Sequence, residues 1–430
     1  MMKINSKKHA TQKKRSFFSF GCFGRSSTLL SVAAFFSILL FSMFTAANQK
    51  TLYLYHDADW SNYTEASESI WRGVNVALQE VDYSLQGYRI EVVKKNHSGN
   101  VLRSLHNAKT FLKDKDALAV ISGMHSQPLI KNREFINKNK VLTLVPWAAG
   151  GPVTRYPSLE NWVFRLSVDD TKAGEILVDY ALDQKGCQSP HMLLADNPWG
   201  DSNLYSMGKA LTSRGKDATA VTRFNWNLKR YSATSKASDI IASGADCVLL
   251  VANVIEGVEI VKAFASLDPS ERPSIISHWG ITGGDFHHQV SAQERKAVDL
   301  TFIQTCFSFM NLPLSAMGQE VLNKAMAQFP DIRSPSDIVS PVGFIHGYDI
   351  TRLLLAALSN ISLSGNAAMH RDELRIALEN INVSVEGLVK TYNKPYGQYS
   401  AAQVDAHEAL SSPDYCMASY DASGDIVLER

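Results

Sequence analysis

Two apolar runs of strand length, inside Ala117–Pro128 and Lys140–Gly151, constrain this chain more than any other feature. ALAVIS stops in Gly-Met-His-Ser-Gln-Pro, and KVLTLV stops in Pro-Trp-Ala-Ala-Gly-Gly. The stretch between them, Leu129–Lys138, reads as a helix. A strand–helix–strand unit in a parallel sheet returns the chain to the same side. Both loops therefore fall at one sheet edge, and ligands bind outside the carboxyl ends of such strands. Ser122, His125, Ser126, Trp147, Ala148 and Ala149 are expected to line one crevice.

The same alternation runs along the chain. Thr51–Asp57 is a predicted strand. Glu65–Val81 is a predicted helix with Ile70, Val74, Leu78 and Val81 on one face. A second strand, YRIEVVKKN, and a helix over Val101–Leu112 lead into the two runs above. Trp162–Leu166 is a short apolar run expected to cross between lobes. The pattern then restarts: helix Thr171–Asp183, strand Pro190–Asp196, helix Ser202–Arg214, strand Ala218–Phe224, helix Ala233–Ser243, strand Asp246–Asn253, helix Glu256–Ser266 and strand Pro273–Trp279. Leu300–Cys306 is a further strand. Ala316–Gln328, Phe344–Leu358 and Leu374–Asn380 read as helices, and short strands and turns follow Gly387. Alternation of this kind predicts an α/β fold built on parallel sheets. Its length exceeds a single typical core, so two lobes are expected.

The N-terminus bears on compartment. Lys3, Lys7, Lys8, Lys13, Lys14, Arg15 and Arg25 precede an apolar stretch, Leu29–Phe44, and then Thr45-Ala46-Ala47. A basic region, an apolar core and small residues before a cleavage point make a secretory signal peptide, placed here over 1–47. The alternative reading is an uncleaved anchor. Cys22 precedes the apolar core, the wrong side for a lipoprotein cysteine. No later stretch is long enough to span a bilayer. The whole chain holds 43 basic and 42 acidic residues; without the leader, 36 face 42, a mildly acidic balance with no sign of a nucleic-acid surface.

Of the five cysteines, Cys187, Cys247, Cys306 and Cys416 lie beyond the leader. An even count in an exported protein permits disulfides. In a doubly wound sheet ordered 2-1-3, the strands after Cys187 and at Cys247 are neighbours, with both cysteines at the amino-terminal edge. A Cys187–Cys247 bridge is one expectation, and two separate buried thiols are the other.

His278, His287 and His288 flank GITGGDF, but their spacing fits no standard zinc pattern. Gly280–Gly284 is no dinucleotide fingerprint. His346 and Asp349 read as a lobe-contact histidine and a helix-start aspartate rather than an acid–base pair. There is no Gly-x-Ser-x-Gly elbow, no His-Glu-x-x-His and no P-loop. Neither a catalytic residue, a metal site nor a cofactor is expected, and an amide-hydrolysing enzyme is the minor alternative.

Over about residues 51–400 the chain resembles a type I periplasmic binding protein of the branched-chain amino acid (Leu/Ile/Val)-binding family. The resemblance rests on WRGVNVALQEVD, ISGMHSQ, LVPWAAGGPVT, FRLSVDDTKAG, DNPWG and DCVLLVANVIEGVEIVKAFA. It implies two doubly wound parallel-sheet lobes joined by hinge crossovers, with a ligand cleft between them. The expected division is 51–166 with about 308–390 for the first lobe, and 167–307 with about 391–430 for the second. It also implies a periplasmic receptor that captures an amino acid, amide or related small molecule for an ABC permease. A sensory subunit reporting to a membrane receptor is the alternative.

The family's ligand-binding residues correspond here to Ser126, Trp147, Ala148, Ala149, Asp170, Trp199, Asn253 and Thr282. Two departures stand out: Ala149 takes the place of a hydroxyl that holds an amino acid's carboxylate, and Thr282 that of an acid for its amine. Trp60, Trp147, Trp199 and Trp279 all fall in predicted rim loops, which suits a flat, aromatic or partly apolar ligand. Ser126 and Asp170 also read as caps of the helices that follow them.

Overall fold

The computed structural model describes residues 50–158 and 160–429. The expected signal peptide lies outside the described residues. Among these, no helix is long and apolar enough to cross a membrane.

The first sheet begins with β1 (Thr51–Ala58), β2 (Ser84–Leu85) and β3 (Tyr88–Asn96), continues through β4 (Ala117–Ser122) and β5 (Thr143–Val145), and ends with β6 (Val163–Arg165). Their order is β2-β3-β1-β4-β5-β6, parallel apart from the β2–β3 pair. Every residue of β4 is buried, as a central strand covered on both faces requires. Helices α1 (Thr64–Gln79), α2 (Val101–Lys113) and α3 (Ser126–Lys138) connect the strands. Ala66, Ile70, Val74 and Leu78 form the buried stripe of α1, at the spacing the sequence shows.

The second sheet repeats the plan. α4 (Asp170–Asp179) leads to β7 (Pro190–Ala195), α5 (Pro198–Ser213), β8 (Val221–Phe224), α6 (Arg230–Ala242), β9 (Cys247–Val251), α7 (Val254–Ala265) and β10 (Ser274–Ser277). Two short helices, α8 (Phe286–Gln289) and α9 (Ala292–Ala297), precede β11 (Thr301–Thr305). The chain closes with β14 (Tyr415–Tyr420) and β15 (Ile426–Leu428), giving the order β15-β14-β11-β10-β9-β7-β8; a separate two-stranded ribbon pairs β12 (Val385–Glu386) with β13 (Thr391–Tyr392). The fold is thus two α/β lobes with parallel-dominated sheets.

Between β11 and β12 come α10 (Ala316–Gln328), α11 (Pro341–Leu358) and α12 (Arg371–Glu379). α11 packs against α1 of the first lobe. The approach is close enough that a Cβ on Gly73 would lie 2.0 Å from the Phe344 carbonyl oxygen, and one on Gly347 would lie 2.5 Å from that of Ile70. Any side chain at either position would push the helices apart.

Several boundaries differ from expectation. The run at Trp162–Leu166 is not itself the crossing: its β6 is the edge strand of the first sheet, and the crossing follows it. Arg165 on β6 is fully buried, yet its guanidinium pairs with Glu408 at 2.7 Å and Asp169 at 2.8 Å. The segment around residue 408 stays with the first sheet: the Arg165 N–H donates to the His407 carbonyl and the Ala409 N–H to the Arg165 carbonyl, both at 2.9 Å. A return to the second lobe at about 391 is therefore too early; its next strand there is β14. Helices α3 and α5 start earlier than expected, at Ser126 and Pro198, which brings their first turns into the cleft.

Cys187 and Cys247 are disulfide-bonded, with Cα atoms 5.8 Å apart, and Cys247 pairs in register with Pro190 of the adjacent β7. A second disulfide joins Cys306 to Cys416, Cα atoms 5.0 Å apart, and ties the end of β11 to β14.

Candidate functional site

Three helices begin at the facing edges of the two sheets. α3 comes from the first lobe; α5 and α7 come from the second. Asn197 caps α5, its side-chain oxygen accepting from the N–H groups of Trp199 and Gly200 at 2.9 and 3.1 Å. α3 has no such cap: His125 occupies the capping position without a side-chain bond. The first N–H groups of a helix lack intrahelical partners, and Pro128 has none to offer. Among the described residues those of Ser126 and Gln127, both of which line the cleft, have no hydrogen-bond partner, with the positive end of the helix dipole behind them.

Ser126 is the first residue of α3, not its cap. Its hydroxyl oxygen accepts from the Gly150 N–H at 3.0 Å. That bond joins the two loops after β4 and β5 and leaves the hydroxyl hydrogen available.

These groups bound a narrow cavity of about 10 Å³ lined by His125, Ser126, Gln127, Trp147, Ala149, Asn197, Trp199, Trp226, Asn253, Trp279 and Gly280, with Met124. Four indoles wall it. Trp147 of the first lobe and Trp279 of the second stand 6.0 Å apart between ring centroids. Trp199 meets His278 edge-on, and its own N–H is buried without a partner. Trp226, in the loop after β8, reaches across to His125, with centroids 5.4 Å apart.

His125 is anchored from behind. Its Nε2 lies 3.4 Å from Asp59 Oδ2, and the Tyr63 ring stands edge-on to it. Burial pushes the Asp59 carboxyl up, but hydrogen bonds from His125 and from the N–H groups of Asn62 and Ser61 outweigh it and hold the group well below the usual carboxylate range. Burial lowers the neighbouring His97 to about 3, helped by the charge of His125, so His97 stays neutral. Across the cleft, Glu256 near the start of α7 accepts from the Asn227 N–H at 2.8 Å, and burial pushes its pKa up.

Of the ten expected ligand-binding residues, Ser126, Trp147, Ala149, Trp199, Asn253 and Trp279 line this cavity together. The other four do not. Ala148 is packed into the first lobe's core. Trp60 lies away from the cavity, with Lys94 Nζ 4.0 Å from its ring centroid and His56 at its edge. Thr282 is buried, and its hydroxyl donates to the Trp279 carbonyl at 2.7 Å. Asp170 is fully buried on the first turn of α4, where its Oδ1 lies 2.9 Å from His278 Nε2. Capping of α4 falls to Asp169, whose side chain accepts from the Thr171 N–H.

Sequence reasoning missed Trp226, whereas His125, expected at the crevice, does line the cavity. A tryptophan two residues past a strand's end, in a loop of the same edge, was the available signal for Trp226.

Two α/β lobes closing a walled cleft at their carboxyl edges define a two-lobed solute-binding protein. A family model described as periplasmic binding protein matches residues 58–407, and the chain belongs to that family. No curated protein matches the chain in sequence. Solved structures share the fold at low identity. A periplasmic binding protein type 1 from Bordetella pertussis Tohama I is 14% identical, covers 88% of this chain and 100% of its own, and has a TM-score of 0.70. A solute binding protein of an ABC transporter from R. palustris, in complex with benzoate, is 17% identical over 88% and 95%, with a TM-score of 0.69. A leucine binding protein from Thermotoga maritima is 13% identical over 88% and 98%, with a TM-score of 0.68.

Proposed function

We propose that this protein is an exported receptor that captures a small amphipathic solute between its lobes in the periplasm and delivers it to an ABC permease without chemical turnover. The observation that carries this reading is the tryptophan-walled cavity, which opens on the uncapped start of α3. Indoles give apolar area and stacking. The free N–H groups of α3 and the Ser126 hydroxyl suit an acidic or carbonyl oxygen of the ligand. Among the fold relatives, one is described with benzoate and another as a leucine binding protein, which frames the range of solutes.

The lining holds no carboxylate and no lysine or arginine. Asp170, the position that meets the amine in the resembling family, is turned to His278 instead. A buried ammonium without a partner is costly. The reading therefore favours a ligand with one polar end and a flat or apolar body over a standard zwitterionic amino acid. Closure brings Trp226 and Asn253 of the second lobe onto the first. The lobes divide as 51–166 with the helices from 308 onward, and 167–307 with the last strands.

Mass spectrometry of ligand retained by natively purified protein tests this. A single small molecule, lost in Trp147→Ala, is the expected result. A protein that carries nothing, and is stabilised by no member of a library of small acids, amides and amino acids, would overturn it.

A further inference from the structure

The histidines that flank GITGGDF separate in the fold. His278 is buried beside Asp170, whereas His287 and His288 lie on the surface turn α8 with Asp285 just before it. We propose that Asp285, His287 and His288 form a second site, in a recess separate from the solute cleft, for a divalent late first-row transition ion of the zinc class.

One ligand atom from each of the three lies within 4.8 Å of the other two. The His287 and His288 rings face each other with centroids 4.0 Å apart. His288 Nδ1 already hydrogen-bonds Asp285 Oδ1. Among the described residues, the ring nitrogens of His287 have no hydrogen-bond partner. Two imidazoles and one carboxylate are the donor set of a three-ligand zinc site that leaves a position for water.

The surroundings support a built site. The backbone of Gly424, in the turn between β14 and β15, lies against the His287 ring, so that a Cβ there would clash with its Cδ2. Both histidines and Asp425 of that turn line one recess. Arg295, the nearest cation, is occupied: its guanidinium donates to the carbonyls of His287, Val290 and Asp421. A bound ion would thus brace the β10–β11 connection beside the C-terminal hairpin.

Calorimetry with zinc chloride on chelator-stripped, tag-free full protein tests the site. The expected result is one equivalent bound at low-micromolar Kd, weakened about tenfold or more in His288→Gln and lost in the His287→Ala/His288→Ala double variant. His288 is exposed, so His288→Gln leaves the fold intact, and unchanged near-ultraviolet circular dichroism checks this. Unsaturable binding, or a zinc isotherm unchanged in the double variant, overturns the proposal. Solute retention is expected to be the same in all variants, so loss of zinc binding and failure of the cleft reading give different results.

Discussion

Trp226 of the second lobe lies against His125 of the first, ring centroids 5.4 Å apart, and both line the cleft. The indole also fills the space over Gly99, where a Cβ would sit 2.9 Å from its ring. One side chain therefore both walls the cavity and holds the lobes together.

Trp226→Ala is expected to weaken solute binding by roughly 2–4 kcal/mol, the range for a buried aromatic anchor. Because Trp226 is loop-borne and only partly buried, the melting temperature of the ligand-free protein changes little. X-ray scattering gives the second readout: the variant is less compact than the wild type without ligand, and saturating solute restores less of the difference. A large loss of ligand-free stability with unchanged affinity would make Trp226 a packing residue only.

Leucine, isoleucine and valine are expected to bind no better than about 100 μM, a binding energy near −5.5 kcal/mol. Neither Asp170, with Oδ1 2.9 Å from His278 Nε2, nor Thr282, whose hydroxyl donates to the Trp279 carbonyl, lines the cavity. Calorimetry decides this; low-micromolar leucine would show that closure with an amino acid rotates Asp170 into the cleft.

Non-reducing peptide mapping of the protein purified without reductant should recover Cys187 with Cys247 and Cys306 with Cys416. The second bridge closes a loop of 110 residues. By the chain-entropy model, Cys306→Ser with Cys416→Ser costs about 5 kcal/mol of stability, seen as a lower denaturant midpoint. Free Cys306 and Cys416 peptides would contradict the pairing of β11 with β14.

Asp57 sets a pH dependence. Burial beneath α2 raises its pKa to about 7, against hydrogen bonds from Ser104 and Asn107 that favour the charged form. The native state therefore holds a proton that the unfolded chain releases near pH 4. Stability contributed by this group is full below the unfolded value and is lost as pH rises toward 7. Asp57→Asn should remove that decline, so that the variant gains on the wild type between about pH 4 and 7 and the difference then levels off. Melting temperatures across this range measure it, and parallel curves would exclude Asp57 as the source.

The alternation of strands and helices was legible because each element announces itself within a few residues. Ile70, Val74 and Leu78 mark the buried face of α1 by spacing alone, and ALAVIS marks β4 by an unbroken apolar run. Helix starts were less legible. Ser126 and Asp170 look like caps, yet the chain turns one residue earlier in each case, and His125 and Asp169 take those positions. The residue that caps is set by backbone angles that the neighbouring loop imposes, here through the Ser126–Gly150 bond between two loops.

What the sequence by itself determined is the local half of this protein: its α/β class, two repeated sheets and the loops at their carboxyl edges, whereas it left Cys187–Cys247 open as a bridge or two thiols and gave no sign of Cys306–Cys416. Tertiary structure alone decided which side chains those loops present. Trp60 and Trp226 are both tryptophans just past a strand's end. Lys94 and His56 hold the first away from the cavity, while closure of the lobes lays the second onto His125. Asp170 and His278 are separated by more than a hundred residues, yet the fold sets Asp170 Oδ1 2.9 Å from His278 Nε2, at a position that does not line the cavity. Periodicity reports which face a residue occupies within its own element; it carries no information on the partner that a distant part of the chain brings to that face, and a binding site is made of such partners.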